Sequence, residues 1–373
     1  LARTFNMVFQ ILNLLPFAKR KPLLCPIINE QVYIAQYSTI PDNGLFKKFN
    51  TDQSISYLGY CDDFGPMNLA CIVRFVKLLD KQIKENPSFK IVYVVEDGKR
   101  PLTNAMFLLG AYMILKLELT VEDVVSNFKG IDSRRYESYR DATYQPADFH
   151  LSLEDCWRGL QRGVQAGWIA LPSELHGDGL WGKIDLSSYE HYDKPANGLA
   201  NEVVPGKFIA FIGPCALNHG QSIAADATGH LRFDPSFYLP MFRSHGVTAV
   251  VRLNEPEYPS STFTQHGITV HDLYFNDCTT PPPRVVEAFF RLADSTPGSL
   301  AIHCKAGLGR TGTLIALYMM RRHGFTAREA MGWLRVMRPG SVIGDQQRFL
   351  CEVGRVWDHP SSSSSSPATS VPP

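Results

Sequence analysis

The run that most limits what this chain can fold into is His303-Cys304-Lys305-Ala306-Gly307-Leu308-Gly309-Arg310-Thr311-Gly312. Gly298-Ser299-Leu300-Ala301-Ile302 precedes it and reads as a short buried strand. Thr313-Leu314-Ile315-Ala316-Leu317-Tyr318-Met319-Met320 follows, apolar enough for a core helix. Strand, tight glycine loop and helix aim several backbone N–H groups at one small anion. A cysteine opens the loop and an arginine closes it, six residues apart.

Each residue type in the run suits phosphate chemistry. A thiol becomes a strong nucleophile only once ionised, and a helix N-terminus beside a cation favours the ionised form. Cys304 sits where both act. Arg310, on the first helical turn, can grip two phosphate oxygens with its planar fork, as lysine cannot. Gly307, Gly309 and Gly312 let the backbone approach the anion with no Cβ in the way. Lys305, Ala306, Gly307, Leu308, Gly309 and Arg310 are therefore the predicted phosphate-binding loop, with Lys305 adding positive potential at its rim. His303 is expected to brace the loop, and the Thr311 hydroxyl to donate to the sulfur when it leaves. A buried structural thiol in an ordinary turn would explain any one of these residues. It does not explain their joint spacing.

This run resembles the signature of the protein tyrosine and dual-specificity phosphatases, and within them that of the cell-division-cycle-fourteen (mitotic-exit) family. Supporting stretches are Val251-Arg252-Leu253-Asn254, His271-Asp272-Leu273-Tyr274-Phe275-Asn276-Asp277 and Arg338-Pro339-Gly340-Ser341-Val342-Ile343-Gly344. Asp63-Phe64-Gly65-Pro66-Met67-Asn68-Leu69-Ala70 and Tyr189-Glu190-His191-Tyr192 also match, so the likeness runs from about Pro26 to about Val356. It implies an α/β protein of two tandem dual-specificity-phosphatase-like domains, each a central mixed sheet flanked by helices, joined by a linker helix. Only the second domain would be active, through a phosphocysteine intermediate and without metal or cofactor.

The resemblance also assigns roles. Asp277 stands where the family carries its general acid, on a mobile loop before the cysteine. A leaving alkoxide needs that proton. Read without the resemblance, Asp277 could equally cap the turn before Pro281-Pro282-Pro283. Gln346 and Gln347 resemble the glutamines that position the water attacking the phosphocysteine. Their alternative is a polar loop before Phe349, and Asp345 stands where the family has proline. The residue after the acid is glycine in the family and Cys278 here. That substitution would stiffen the loop, and it suggests a reversible Cys278–Cys304 disulfide protecting the nucleophile from overoxidation. Family substrates carry phosphoserine followed by proline and then a basic residue. For these, Glu190 and Asp193, three apart and on one face if helical, form an acidic groove with Asp141.

Length and composition fit this reading. A chain of 373 residues suits two domains, and 45% hydrophobic with 20% charged residues is ordinary for a globular protein. A formal net charge of +1 gives no reason to expect a nucleic-acid or membrane-surface partner. The eight cysteines show no paired spacing, so neither a disulfide framework nor a zinc site is signalled. No stretch is apolar enough to span a bilayer.

Along the chain, residues 1–25 read as a poorly specified extension. It opens on Leu1, as a fragment or processed form would, and its Met7–Phe17 run is too interrupted for a signal peptide. Residues 26–165 are expected to form the inactive domain, with a strand at Val32-Tyr33-Ile34-Ala35, a turn at Pro41-Asp42-Asn43-Gly44, a helix over 68–85, a strand at Lys90–Val95 and a helix over 104–117. This last pair reads as a degenerate copy of the catalytic unit, with Gly98 opposite Cys304 and Asn104 opposite Arg310. A further amphipathic helix is expected over 151–169. Residues 166–206 are the expected linker and 207–357 the catalytic domain, with strands at Phe208–Ile212 and Val247–Val251. Residues 358–373 are a Ser/Pro-rich tail expected to be disordered.

The function implied is a dual-specificity protein phosphatase acting on phosphoproteins made by proline-directed kinases, in cell-cycle control. The family is associated with nucleus, nucleolus, spindle apparatus and cytoplasm. Two rivals use parts of the same pattern. Phosphoinositide phosphatases have nearly the same loop but place a second lysine where this chain has Leu308. A phosphoprotein-binding module without turnover would not need Cys304, Arg310 and Asp277 together.

Overall fold

The computed structural model describes residues 23–36, 44–51, 55–172, 180–218, 220–227 and 229–358. The readings made for residues 1–22 of the N-terminal extension, for Pro41-Asp42-Asn43 and for the Ser/Pro-rich tail after Asp358 lie outside them, while residues 23–25, read as part of that extension, open a strand. The chain divides into two units, Leu1–Ser56 with Val73–Glu137, and Tyr57–Ile72 with Ser138–Pro373.

The first unit carries a four-stranded mixed sheet. Its strands are β1 (Leu23–Ile28), β2 (Val32–Gln36), β3 (Phe46–Phe49) and β4 (Lys90–Val95), ordered β1-β2-β4-β3. β1 runs antiparallel to β2, and the other two pairings are parallel. The expected strand over 90–95 is found with those bounds. The helix after it is Lys99–Lys116, so it starts five residues before the expected Asn104. Pro101 lies in its first turn, where the N–H has no intrahelical acceptor, and a proline costs nothing there. Residues that would correspond to the phosphate loop are thus wound into helix, and Gln36 Nε2 donates to the Glu96 and Gly98 carbonyls just ahead of it.

In the second unit, among the described residues, β5 (Leu180–Trp181) pairs only with β6 (Ile184–Asp185), and β9 (Ile223–Ala225) with β10 (Leu231–Phe233). The main sheet has five strands: β7 (Ala200–Val204), β8 (Phe208–Phe211), β11 (Val247–Arg252), β12 (Thr269–Asp272) and β13 (Ser299–His303). Their order is β12-β11-β13-β8-β7, parallel except for the edge strand β7. β13 is therefore central, and all five of its residues are buried. Aromatic residues fill one face of the sheet, with Phe211, Tyr238, Phe242 and Phe263 among them. β7 lies in the stretch read as linker. Its apolar alternation is broken by Asn201, which is buried because its side chain is hydrogen-bonded.

Helix Leu153–Gln165 packs closely on helix Ala327–Met337. The approach depends on small residues, since a Cβ on Gly163 would come within 2.0 Å of the Trp333 ring. Together the two units make the mixed α/β architecture of sheets flanked by helices that the resemblance implied.

Candidate active site

β13 ends on His303, and helix Gly309–His323 begins six residues later, so residues 304–308 close the turn at the carboxyl end of the central strand. Ligands in parallel sheets gather at such ends. The turn is tight. Gly307 has φ +68°, and a Cβ there would lie 1.9 Å from the Phe211 carbonyl oxygen. Arg338, fully buried, ties the turn down. Its Nε donates to Gly307 O at 2.8 Å and Nη2 to Ala306 O at 3.0 Å, while Nη1 donates to Asn201 Oδ1 and Leu199 O, both at 2.6 Å.

Cys304 is 3% exposed at the floor of a cleft of about 660 Å³, and Lys305 and Ala306 are exposed at its rim. Leu308 is buried, and its Cδ1 would be 3.3 Å from a Cβ on Gly340, so this loop position faces protein. Arg310 is 4% exposed. Its Nη1 donates to Leu253 O at 3.2 Å and Phe275 O at 3.0 Å, and its Nη2 lies 3.2 Å from Asp277 Oδ1. These bonds fix the plane of the guanidinium beside Asp277, which lines the cleft. The Thr311 hydroxyl, in the first turn of the helix, is buried without a hydrogen-bond partner among the described residues.

His303 is fully buried, with Nδ1 3.0 Å from Cys304 O and Nε2 2.8 Å from Tyr258 Oη. A carbonyl can only accept, so Nδ1 carries the proton and Nε2 accepts from the tyrosine hydroxyl. Arg252 holds Tyr258 in turn, through Nη1 to its carbonyl at 2.8 Å and a guanidinium stacked 4.8 Å over its ring. Asp272 Oδ1 and Oδ2 accept from Arg252 at 2.6 and 3.0 Å, which keeps the Asp272 carboxyl below its ordinary range. The expected bracing role of His303 thus has a path from β12 to the cysteine backbone.

Burial pushes the His303 imidazole down to about 4 from an ordinary 6.5. Below the higher value the unfolded chain takes up a proton that the native site refuses. Stability present above about pH 6.5 is therefore lost as pH falls toward about 4. The loss amounts to roughly 3 kcal/mol. His303→Asn should flatten that part of the pH–stability curve in urea titrations. An unchanged slope would mean that other groups carry the acid sensitivity.

Asp277 is 60% exposed beside Arg310 and lines the cleft together with Cys278, Cys304 and Gln346. Cys278 has φ +59°, the left-handed region that favours glycine, and its N–H donates to Asp277 Oδ1 at 3.0 Å. Both cysteines are free thiols. Gln346 bridges two loops, with Nε2 donating to Thr279 O at 3.0 Å and Oε1 accepting from Ile343 N at 3.2 Å. Gln347 does not reach the cleft. It is fully buried, with Oε1 accepting from Arg335 Nη2 at 2.7 Å.

The three expected groove acids are not on the cleft lining. Asp141 is 3% exposed and accepts the Gly344 N–H at 2.8 Å. Asp193 caps helix Leu186–Tyr192 and accepts from Asn68 Nδ2 at 2.7 Å and Asn201 Nδ2 at 3.0 Å. Glu190 lies half-buried on that helix. The acids that do line the cleft, besides Asp277, are Asp226 and Glu257. Sequence reasoning also passed over Arg252, Tyr258, Arg335 and Arg338 as site residues. Arg252 in Val250-Val251-Arg252-Leu253 carried a usable signal, because a charge inside a buried apolar run needs a dedicated partner. Among the described residues, no group of three or more His, Cys, Asp or Glu could hold a metal ion, and no helix is long and apolar enough to cross a membrane.

A cysteine at the end of a central parallel strand, an arginine on the next helix and an aspartate bonded to that arginine define the class of cysteine-dependent phosphatases. Residues 233–355 match the family model for "Dual specificity phosphatase, catalytic domain", and residues 26–163 that for "Dual specificity protein phosphatase, N-terminal half". The human "Dual specificity protein phosphatase CDC14A" is 37% identical over 331 residues, 88% of this chain and 53% of that protein. Mouse "Dual specificity protein phosphatase CDC14B" is 38% identical over 304 residues, 81% of this chain and 59% of that one. The Saccharomyces cerevisiae "Tyrosine-protein phosphatase CDC14" is 34% identical over 326 residues, 86% and 57% respectively. The chain belongs to the CDC14 family of dual-specificity phosphatases. It spans between half and two thirds of the length of these three relatives.

Proposed function

We propose that this protein dephosphorylates phosphoproteins inside the cell, with Cys304 attacking phosphorus and Asp277 protonating the leaving oxygen. Water, held by Gln346, then hydrolyses the phosphocysteine, with Asp277 as base. The observation that carries this reading is the 3.2 Å contact of Arg310 with Asp277, an acid on the lining of the same cleft as Cys304, which supports reading the three as phosphate-gripping cation, proton donor and nucleophile. Substrate choice is proposed to follow the family toward phosphoserine-proline sites with a following basic residue, the products of proline-directed kinases. Tyr60, Pro195, Leu199 and Ile212 give the cleft lining apolar surface for a proline ring, and Asp226 and Glu257, the latter paired with Arg232, lie on the same lining. Leu308, buried where a phosphoinositide phosphatase would need a second lysine, weighs against that rival. In the first unit, the segment matching the phosphate loop is helical and has neither cysteine nor arginine at the matched positions, which supports a domain without turnover.

A phosphopeptide panel assayed with wild type and Asp277→Asn tests the proposal. Wild type should favour phosphoserine-proline peptides carrying a downstream lysine. Asp277→Asn should lose about 100-fold on those peptides and far less on p-nitrophenyl phosphate, whose leaving group needs little help. Equal losses on both substrates would remove Asp277 as the acid, and no peptide hydrolysis by wild type would remove the protein-phosphatase reading.

A further inference from the structure

Helix Ala327–Met337 carries a second buried arginine that the chemistry above leaves unused. Arg335 is 1% exposed, and among the described residues the oxygens it donates to are neutral. Nε donates to Ser341 O at 3.1 Å, Nη1 to Arg140 O at 3.5 Å, and Nη2 to Val342 O at 3.1 Å and Gln347 Oε1 at 2.7 Å. Three of these acceptors belong to residues 341–347, the segment that carries Gln346. Burying a guanidinium costs several kcal/mol, so stability alone gives little reason for one here.

What the arginine holds is strained. Val342 is buried with φ +64°, a conformation that a β-branched residue takes only when its surroundings over-determine it. Its carbonyl is gripped by Arg335, and its N–H donates to Leu308 O in the phosphate loop at 3.3 Å. From the other side, the buried Asp141 carboxylate takes the Gly344 N–H. Between these clamps the Ile343 N–H donates to Gln346 Oε1, and that oxygen would lie 2.9 Å from a Cβ on Gly309, at the helix N-terminus.

We propose that Arg335, with Asp141 opposing it, is a positioning residue for the second half-reaction: it fixes residues 341–347 so that Gln346 aims water at the phosphocysteine. Asp141 thereby acts on the loop and not on a substrate's basic residue. The inference rests on the phosphatase reading, and separating the two half-reactions distinguishes its failure from that reading's failure. In stopped-flow assays with p-nitrophenyl phosphate, wild type must first turn over, and its failure to do so would refute the function itself. Given turnover, Arg335→Met should cut the steady-state rate about 10- to 100-fold while the burst that reports phosphocysteine formation keeps its rate to within about twofold. The burst amplitude should rise toward one per enzyme, and Arg335→Lys should recover part of the steady-state rate. If Arg335→Met does not fold, Asp141→Ala, which frees the Gly344 N–H and removes the carboxylate charge that Arg335 feels, decides the matter and should show the same split. Burst and steady state slowed equally, or both unchanged, in the folded variant would overturn the proposal.

Discussion

Cys304→Ser should lower phosphatase turnover by at least about 10⁴-fold while leaving phosphopeptide binding close to that of wild type. The two side chains differ by one atom, so the reason for so large an effect has to be chemical. Serine's hydroxyl does not ionise near neutral pH, and its phosphate ester leaves far less readily than phosphocysteine. The binding elements are elsewhere. The Arg310 guanidinium is fixed by the Leu253 and Phe275 carbonyls, and the turn by Arg338 on Ala306 and Gly307. None of these bonds involves the sulfur. Calorimetry with a phosphoserine-proline peptide, alongside turnover of p-nitrophenyl phosphate, checks both halves. Substantial turnover in the serine variant would assign the chemistry to another group.

Arg310→Lys should be nearly as damaging, at about 10³-fold in kcat with protein stability reduced as well. The guanidinium works in two directions at once. Nη1 satisfies two carbonyls at the ends of the strand β11 and acid-loop segments, Nη2 faces Asp277, and Nε is buried without a partner. An unpartnered buried N–H beside this turn is what a phosphate oxygen would satisfy on binding. A lysine ammonium offers a point charge that cannot reach the carbonyls and present a fork to phosphate together. Steady-state kinetics on the variant should show kcat falling more than KM rises, because the grip tightens as negative charge spreads over the transferring phosphoryl group. A variant with kcat within about tenfold of wild type would mean that Arg310 only holds the loops.

The candidate phosphate turn was legible in the sequence because the residue types and the geometry it needs share one short run. His303, Cys304 and Arg310 occupy the places that strand, loop and helix imply, and the strand and helix bounds differ little from expectation. What the sequence concealed lies in residues whose partners are far along the chain. Asp141 looked like a surface acid, yet its carboxylate is spent on the Gly344 N–H, two hundred and three positions away. Asp193, likewise, meets Asn68 and Asn201. Arg338 and Arg335 sit at the end of one helix and give no local sign that one braces the phosphate turn and the other the glutamine segment. In the first unit, the helix from Lys99 shows the same limit. The expectation placed a loop there by analogy with the active unit, while the local sequence, with proline in a first turn, allowed helix.

Trapping the intermediate tests the account most directly. Wild-type enzyme mixed with phosphorus-labelled phosphopeptide and quenched in acid should yield label on the peptide that contains Cys304, with less label trapped when Cys304 is blocked beforehand. Turnover that persists with no phosphate ever recovered on that sulfur would show that water, or another residue, attacks phosphorus, and the mechanism built on this cleft would be wrong.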